Sequence, residues 1–134
     1  MKEFLLVSIG SFFGGGARYL VSQSVQWLVP LAFPFGTMSV NVAGCLVIGF
    51  LSALPWGDGV MSPSAKLLLT TGFCGGFTTF STFMNESSVL MKDGHWMMLC
   101  LYVAGSIVLG LLAVLGGHAL CEHLLAEKDI MNIN

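Results

Sequence analysis

Residues 70–86 read TTGFCGGFTTFSTFMNE, and this stretch decides how the rest of the chain is interpreted. It lies in a long apolar region, yet it holds Gly72, Gly75 and Gly76 followed by four hydroxyl-bearing residues. Glycine costs about 1 kcal/mol relative to alanine in a helix, and threonine hydroxyls compete for backbone groups. In a bilayer, freed carbonyls are tolerated only where they meet protein, water or an ion. The composition favours a helix break, and the alternative is an unbroken helix that uses glycine and threonine for close packing.

Three aromatic residues, Phe77, Phe80 and Phe83, follow one another at steps of three in this stretch. In a helix, residues spaced in this way lie near one face. Such a stripe usually packs in the core or faces lipid. The functional alternative rests on the positive edge of an aromatic ring, because ring edges can line a path for an anion that binds weakly enough to leave.

The composition places this stretch in an integral membrane protein. The 134 residues are 55% hydrophobic and 9% charged, with a mean hydropathy of +0.86, whereas soluble domains are about 25% charged. A soluble globular fold is therefore excluded. The formal net charge is −2 without a basic cluster, which argues against nucleic acid as a partner. The length fits a single domain over residues 1–134.

The charged residues are separated by apolar stretches that are long enough to cross a bilayer, which takes about 20 residues as a helix. The sequence predicts an all-α protein with four transmembrane helices, at approximately 4–29, 36–54, 64–91 and 96–125. Turns are predicted at Pro30–Pro34, at Pro55–Pro63 (with Gly57, Asp58 and Gly59) and at Lys92–Gly94. A signal peptide is the alternative for the first segment, but three further spans follow it.

The charge distribution gives the spans little preference for one orientation. Four spans bring Lys2, Lys66 and Lys128 to one side, and Lys92 lies on the other, which is a weak bias. A fixed orientation and insertion in both directions remain open, and insertion in both directions would permit an antiparallel homodimer. Because four short helices enclose little polar surface, we expect a dimer or larger assembly.

Two pairs of glycines, Gly10/Gly14 and Gly72/Gly76, have the spacing that lets membrane helices approach closely. This spacing is common in membrane helices, so it predicts close packing without fixing the partner helix.

Polar side chains inside the predicted spans are the candidates for function. Asn41 has two amide donors that suit either an interhelical bond or an anion. Arg18 lines an aqueous vestibule or reaches an interface, and Glu86 marks a vestibule or the membrane edge. Tyr102 and Ser106 are four residues apart, and they supply hydroxyls to a polar path or pack between helices.

The sequence contains no motif that indicates catalysis or metal binding by side chains. Serine does not occur in a Gly-x-Ser-x-Gly elbow, and the histidines and cysteines have no metal-ligand spacing. We expect no enzyme activity and no disulfide. The residues concerned are His95, His118, His123, Cys45, Cys74, Cys100 and Cys121.

The run GFCGGFTTFSTF at 72–83 resembles the third-helix motif of the Fluc (CrcB-type) fluoride channels. GTMSVNVAG at 36–44 is similar to their second-helix motif, and the run to Arg18-Tyr19 is similar to their first. Ser11 and Gly15 depart from the usual first-helix pattern, and both are small residues. The resemblance covers all four spans in order, with weak identity in the fourth.

The resemblance implies an antiparallel dual-topology homodimer with two pores, in which the third helix is broken in the middle of the membrane. Phe80 and Phe83 match the phenylalanines whose ring edges face fluoride, and Asn41 matches an amide that donates to the pathway. The backbone carbonyls of Gly75 and Thr78 from both subunits match a central structural Na+ site. Arg18 and Glu86 match vestibule residues, and further pathway candidates are Ser81, Thr82, Thr37, Tyr102 and Ser106.

The implied function is a passive fluoride channel in the bacterial inner (plasma) membrane, with fluoride, lipid and a second copy of the chain as partners. The alternative is a small dual-topology proton-coupled exporter. That class needs a carboxylate within the membrane, for which only Glu86, late in the third span, is a candidate. A structural subunit without conduction is a further alternative.

Overall fold

The computed structural model describes residues 1–55 and 61–133; for residues 129–133 only the backbone is described. These parts of the chain contain helices and connections and no strand, in agreement with the predicted all-α class. Gly57, Asp58 and Gly59 of the second predicted turn lie outside the described residues. The helices are α1 (Lys2–Leu28), α2 (Phe35–Ala53), α3 (Pro63–Leu67, a π-helix over Leu68–Cys74, then Gly75–Phe77), α4 (Phe80–Lys92) and α5 (Trp96–Ile133).

Three of these helices are long and apolar enough to cross a membrane, over Lys2–Leu28, Phe35–Ala53 and Trp96–Lys128. The third predicted span, 64–91, falls on α3 and α4. Thr78 and Thr79 separate these two helices and have extended backbone angles, with φ/ψ of −82°/159° and −148°/123°. The interruption coincides with the glycine- and threonine-rich stretch.

The contact between α1 and α3 is built from the two glycine pairs. The α-carbons of Gly10 and Gly72 face each other so closely that a Cβ on Gly72 would lie 3.0 Å from the Gly10 Cα. A Cβ on Gly76 would lie 2.6 Å from the Ser11 carbonyl oxygen, and one on Gly14 would overlap the Phe73 carbonyl. The predicted close approach is confirmed. Gly10 and Gly72 face each other, whereas Gly14 and Gly76 each lie against other backbone atoms of the facing helix.

The last helix packs mainly against α2 and is longer than the membrane requires. Its 38 residues correspond to about 57 Å, against a hydrocarbon thickness of about 30 Å. The helix continues past the predicted end at Leu125 to Ile133, because no proline or glycine interrupts it there. It follows α4 closely, because Gly94 has a φ of +74° and the His95 amide bonds the Leu90 carbonyl at 2.9 Å, which caps the C-terminus of α4.

The described core lies between α4, α5 and the α1–α2 connection. It contains Phe83, Leu90 and Tyr102, against which Phe33 and Met38 pack. Many large apolar side chains elsewhere are exposed on the single chain, as expected where the surroundings are apolar.

Candidate functional site

The interruption between α3 and α4 is held by the side chain of Asn41 from α2. Asn41 Oδ1 accepts the Thr79 amide at 2.7 Å, and Asn41 Nδ2 donates to the Thr79 carbonyl at 3.0 Å. The side chain therefore pairs with both backbone groups of one residue, as a neighbouring β-strand would. Of the two alternatives for the Asn41 amide, an interhelical bond or an anion, the structure shows the interhelical bond, to the Thr79 carbonyl. Its second N–H makes no hydrogen bond to the described residues.

Thr79 also starts α4. Its Oγ1 accepts the Thr82 amide at 3.3 Å, which is the capping bond that a threonine provides at a helix N-terminus. The same hydroxyl bonds the Thr82 hydroxyl at 3.0 Å. On the other side of the interruption, the Thr78 amide and hydroxyl both donate to the Cys74 carbonyl at 3.0 Å. Hydrogen bonds to side chains and to nearby carbonyls thus satisfy some of the backbone polar groups at the interruption.

A groove of about 720 Å³ opens at this interruption, and we call it the interruption groove. Its lining combines apolar side chains from α2, α3, α4 and α5 with several polar groups. Ser106 is one of the polar groups, and its buried Oγ has no hydrogen-bond partner within the described parts of the chain. The lining includes six of the residues singled out from the sequence: Asn41, Gly75, Thr78, Phe80, Phe83 and Ser106.

The two phenylalanines of the groove differ in burial. Phe80 is 73% exposed on the protomer, whereas Phe83 is 7% exposed, and their ring centroids are 6.1 Å apart. Phe83 also packs against Tyr102 with a centroid distance of 4.9 Å. The expectation that Phe77 shares their face is wrong, because the helix is interrupted before Phe80. Phe77 instead stacks on Phe73 at 5.8 Å.

A carboxylate lies at the far side of Tyr102. Glu86 accepts a hydrogen bond from the Tyr102 hydroxyl at 2.7 Å and another from the Thr37 hydroxyl at 2.8 Å. Tyr102 and Thr37 are buried, and Glu86 is half-buried. The two hydrogen bonds hold the Glu86 side chain between α2 and α5.

A second cavity of about 380 Å³ begins at this carboxylate, and we call it the polar cavity. Thr37 and Glu86 line it together with the end of α1. From one cavity to the other, Phe80, Phe83, Tyr102 and Glu86 form an unbroken series of contacts. The remaining polar lining residues of the polar cavity are Ser22, Gln23 and Gln26.

Four candidates from the sequence line neither cavity. Tyr102 lies between the two cavities in the series of contacts, and the other three lie outside that series. Ser81 and Thr82 are exposed in the first turn of α4, where they neighbour the Thr79 hydroxyl. Arg18 is half-buried on α1, one turn before Ser22. Within the described residues, Arg18 has no ion pair. The structure therefore brings nine of the twelve candidates together and leaves these three apart.

Sequence reasoning missed Thr79 and the two glutamines of the polar cavity. Gln23 and Gln26 are amides inside a predicted span, three residues apart, and this spacing was a usable signal for a polar face. Thr79 carried no such signal, because its partner Asn41 is 38 residues away in the sequence.

Comparison with known proteins decides the family. The sequence model of the family described as CrcB-like protein, Camphor Resistance (CrcB), matches residues 5–118. The chain belongs to this family. It is 50% identical over 122 residues to the fluoride-specific ion channel FluC of Chlorobaculum tepidum, which covers 91% of this chain and 96% of the relative. The resemblance noted from the three motifs is confirmed.

Two further relatives have the same description. The fluoride-specific ion channel FluC of Chlorobium luteolum is 51% identical over 113 residues, covering 84% of this chain and 87% of the relative. That of Maridesulfovibrio salexigens is 42% identical over 120 residues, covering 90% and 95%. Together with the three apolar helices, this membership makes the CrcB-family chain a multi-pass membrane protein.

Proposed function

We propose that the chain is a fluoride-selective passive channel that lets fluoride leave the cell down its electrochemical gradient. The relatives at 42–51% identity are described as fluoride-specific channels. The observation that carries the proposal is the series Phe80–Phe83–Tyr102–Glu86, which links the interruption groove to the polar cavity. Ring edges and hydroxyl donors bind an anion without a fixed positive charge, so the anion is also able to leave.

The polar donors along this series suit a small anion. The Ser106 hydroxyl is buried without a partner in the groove, and Asn41 has one amide hydrogen that is not used for Thr79. A buried donor without an acceptor costs roughly 1–3 kcal/mol, and a passing fluoride ion would accept both hydrogens. At the other end, Tyr102 and Thr37 supply hydroxyls beside Glu86. We retain the proposed vestibule role for Arg18 and the proposed pathway roles for Ser81 and Thr82.

We further propose an antiparallel dual-topology homodimer with two pores, in which the interruption at Thr78–Thr79 is the break of a third span inside the bilayer. Its support is the exposure of Phe80 and Gly75 on the protomer, together with the weak orientation bias of the lysines. A second copy seated on this face would enclose the groove and shield its polar groups from lipid. The bacterial inner membrane remains the expected location.

A central Na+ ion is the cofactor that we propose for this dimer, held by the carbonyls of Gly75 and Thr78. The residues fit such an ion, because the helical amide donors of both carbonyls bond side chains instead. Gly75 is exposed, and a Cβ there would meet no atom within 4 Å. Hard cations prefer oxygen ligands such as backbone carbonyls, and a bound ion would supply positive charge between the carbonyls. This would fix the two interruptions against each other.

The experiment is a flux measurement with the purified chain in liposomes that contain potassium fluoride. After addition of valinomycin, fluoride release is followed with a fluoride-selective electrode, and potassium chloride liposomes serve as the control. The proposal predicts fast fluoride release without chloride release. Release that needs a proton gradient instead of valinomycin would favour the exporter alternative, and no release by folded dimers would favour a structural subunit.

A further inference from the structure

At the interruption between α3 and α4, the amides of Thr79 and Thr82 donate their hydrogens to side chains and not to helix carbonyls. In a continuous helix the amide of each residue donates to the carbonyl four residues earlier, so Thr79 would donate to Gly75 and Thr82 to Thr78. Here the Thr79 amide donates to Asn41 Oδ1 at 2.7 Å. The Thr82 amide donates to the Thr79 hydroxyl at 3.3 Å. The two carbonyls that lose their helical donors are those proposed for Na+.

The two replacements differ in origin. The Thr79 hydroxyl is local and belongs to the ordinary cap of α4. Asn41 comes from α2, and it also donates to the Thr79 carbonyl at 3.0 Å. One side chain from another helix therefore keeps the Thr79 amide away from the Gly75 carbonyl.

We propose that Asn41 is a positioning residue for the cation site, because it keeps the Gly75 carbonyl free to coordinate Na+. This inference rests on the proposed sodium site and adds a role for Asn41 besides its place in the fluoride pathway. Asn41 makes its contact through Thr79 and does not touch the ion. The same side chain would thereby connect the state of the cation site to the lining of the pore.

The physical reason is competition for one acceptor. A carbonyl in hydrocarbon is costly unless it meets a donor or a cation, and a free amide is costly for the same reason. Without Asn41, the Thr79 amide and the Gly75 carbonyl would satisfy each other by extending α3 for a further turn. Sodium would then have to displace an internal hydrogen bond before it could bind.

Asn41→Leu tests this competition, since leucine has a similar size and makes neither bond. Asn41→Asp is the conservative variant, because a carboxyl group keeps the acceptor for the Thr79 amide. In its protonated form it also provides a donor for the Thr79 carbonyl. Ser106→Ala is the matched control. Ser106 lines the same groove, and its hydroxyl bonds no described residue.

The measurement is the thermal midpoint of the purified dimer in detergent as a function of Na+, with N-methylglucamine replacing Na+ at constant ionic strength. The result is the Na+ concentration that gives half of the maximal shift. We expect this concentration to rise by about tenfold in Asn41→Leu, as the loss of one or two hydrogen bonds implies. It should stay within about threefold of wild type in Asn41→Asp and Ser106→Ala.

The possible results separate this inference from the proposal on which it rests. A wild-type midpoint that does not respond to Na+ would remove the sodium site, and the role of Asn41 with it, whatever the fluoride flux. A responsive wild type with an unchanged Asn41→Leu would overturn the role of Asn41 alone. If Asn41→Leu does not fold, Asn41→Ala replaces it. Recovery of either variant only at high Na+ supports the inference, and failure of both at every Na+ concentration overturns it, since Asn41 would then support the fold generally.

Discussion

Adding one methyl group to α1 should have opposite effects at two glycines that are two residues apart. Gly14 lies against α3, where an added Cβ would overlap the Phe73 carbonyl oxygen and lie 2.9 Å from the Phe77 amide nitrogen. Gly16 faces open space, with no atom within 4 Å of such a Cβ. Gly14→Ala and Gly16→Ala therefore add the same atom to the same helix, and only one of them is obstructed.

The expected magnitudes follow from these distances. At Gly14 the obstructing atoms belong to the α3 backbone, so no flexible side chain is able to move aside. The helices must separate, which costs about 1–3 kcal/mol or more by the usual scale for overpacking. At Gly16 the higher helix propensity of alanine gives up to about 1 kcal/mol of stabilisation. The two variants should thus differ in unfolding free energy by roughly 2–4 kcal/mol.

The assay is the unfolding free energy of each purified variant in the same detergent, with fluoride efflux from liposomes as a second readout. We expect Gly14→Ala to have the lower unfolding free energy. We also expect it to release fluoride more slowly, because α1 positions the segment that precedes the interruption. Equal stability of the two variants would refute the packing between α1 and α3 described above. So would a destabilised Gly16→Ala together with an unaffected Gly14→Ala.

Other substitutions test the residues between the two cavities. Phe80→Ile and Phe83→Ile should both reduce fluoride efflux in liposomes without changing the elution volume of the wild-type assembly on size exclusion. Only Phe83→Ile should also lower the thermal midpoint, because Phe83 is buried against Tyr102; full efflux in both would contradict the ring-edge pathway. Tyr102→Phe removes the 2.7 Å bond to Glu86 and should lower the unfolding free energy of the protein by roughly 1–3 kcal/mol, whereas a loss below about 0.5 kcal/mol would show that this bond is unimportant. Thr79→Val should cost about 0.5–2 kcal/mol through the lost cap of α4, and Thr79→Ser should not; equal melting of these two variants would argue against the cap.

Local composition and spacing were sufficient to predict the elements that depend on neighbouring residues. The glycine pairs on α1 and α3 determine how closely the two backbones approach, and their four-residue spacing is visible in the sequence. The glycine- and threonine-rich run likewise predicted an interruption where Thr78 and Thr79 are extended. Both effects come from backbone sterics and from side chains within one turn.

Features that depend on distant partners were not predictable in the same way. The pairing of Asn41 with Thr79 and of Glu86 with Tyr102 and Thr37 requires the packing of three helices. The aromatic spacing failed for Phe77 because an interruption resets the register after it. A period of three residues has meaning only within one continuous helix.

The central claim is that this chain alone provides a selective path for fluoride. The most direct test is valinomycin-triggered fluoride efflux from liposomes that contain the purified wild-type protein, beside matched chloride liposomes and protein-free liposomes. We predict rapid fluoride release from the protein-containing liposomes and chloride release no faster than without protein. Equal release of both anions, or no fluoride release from protein verified to be folded, would contradict the claim.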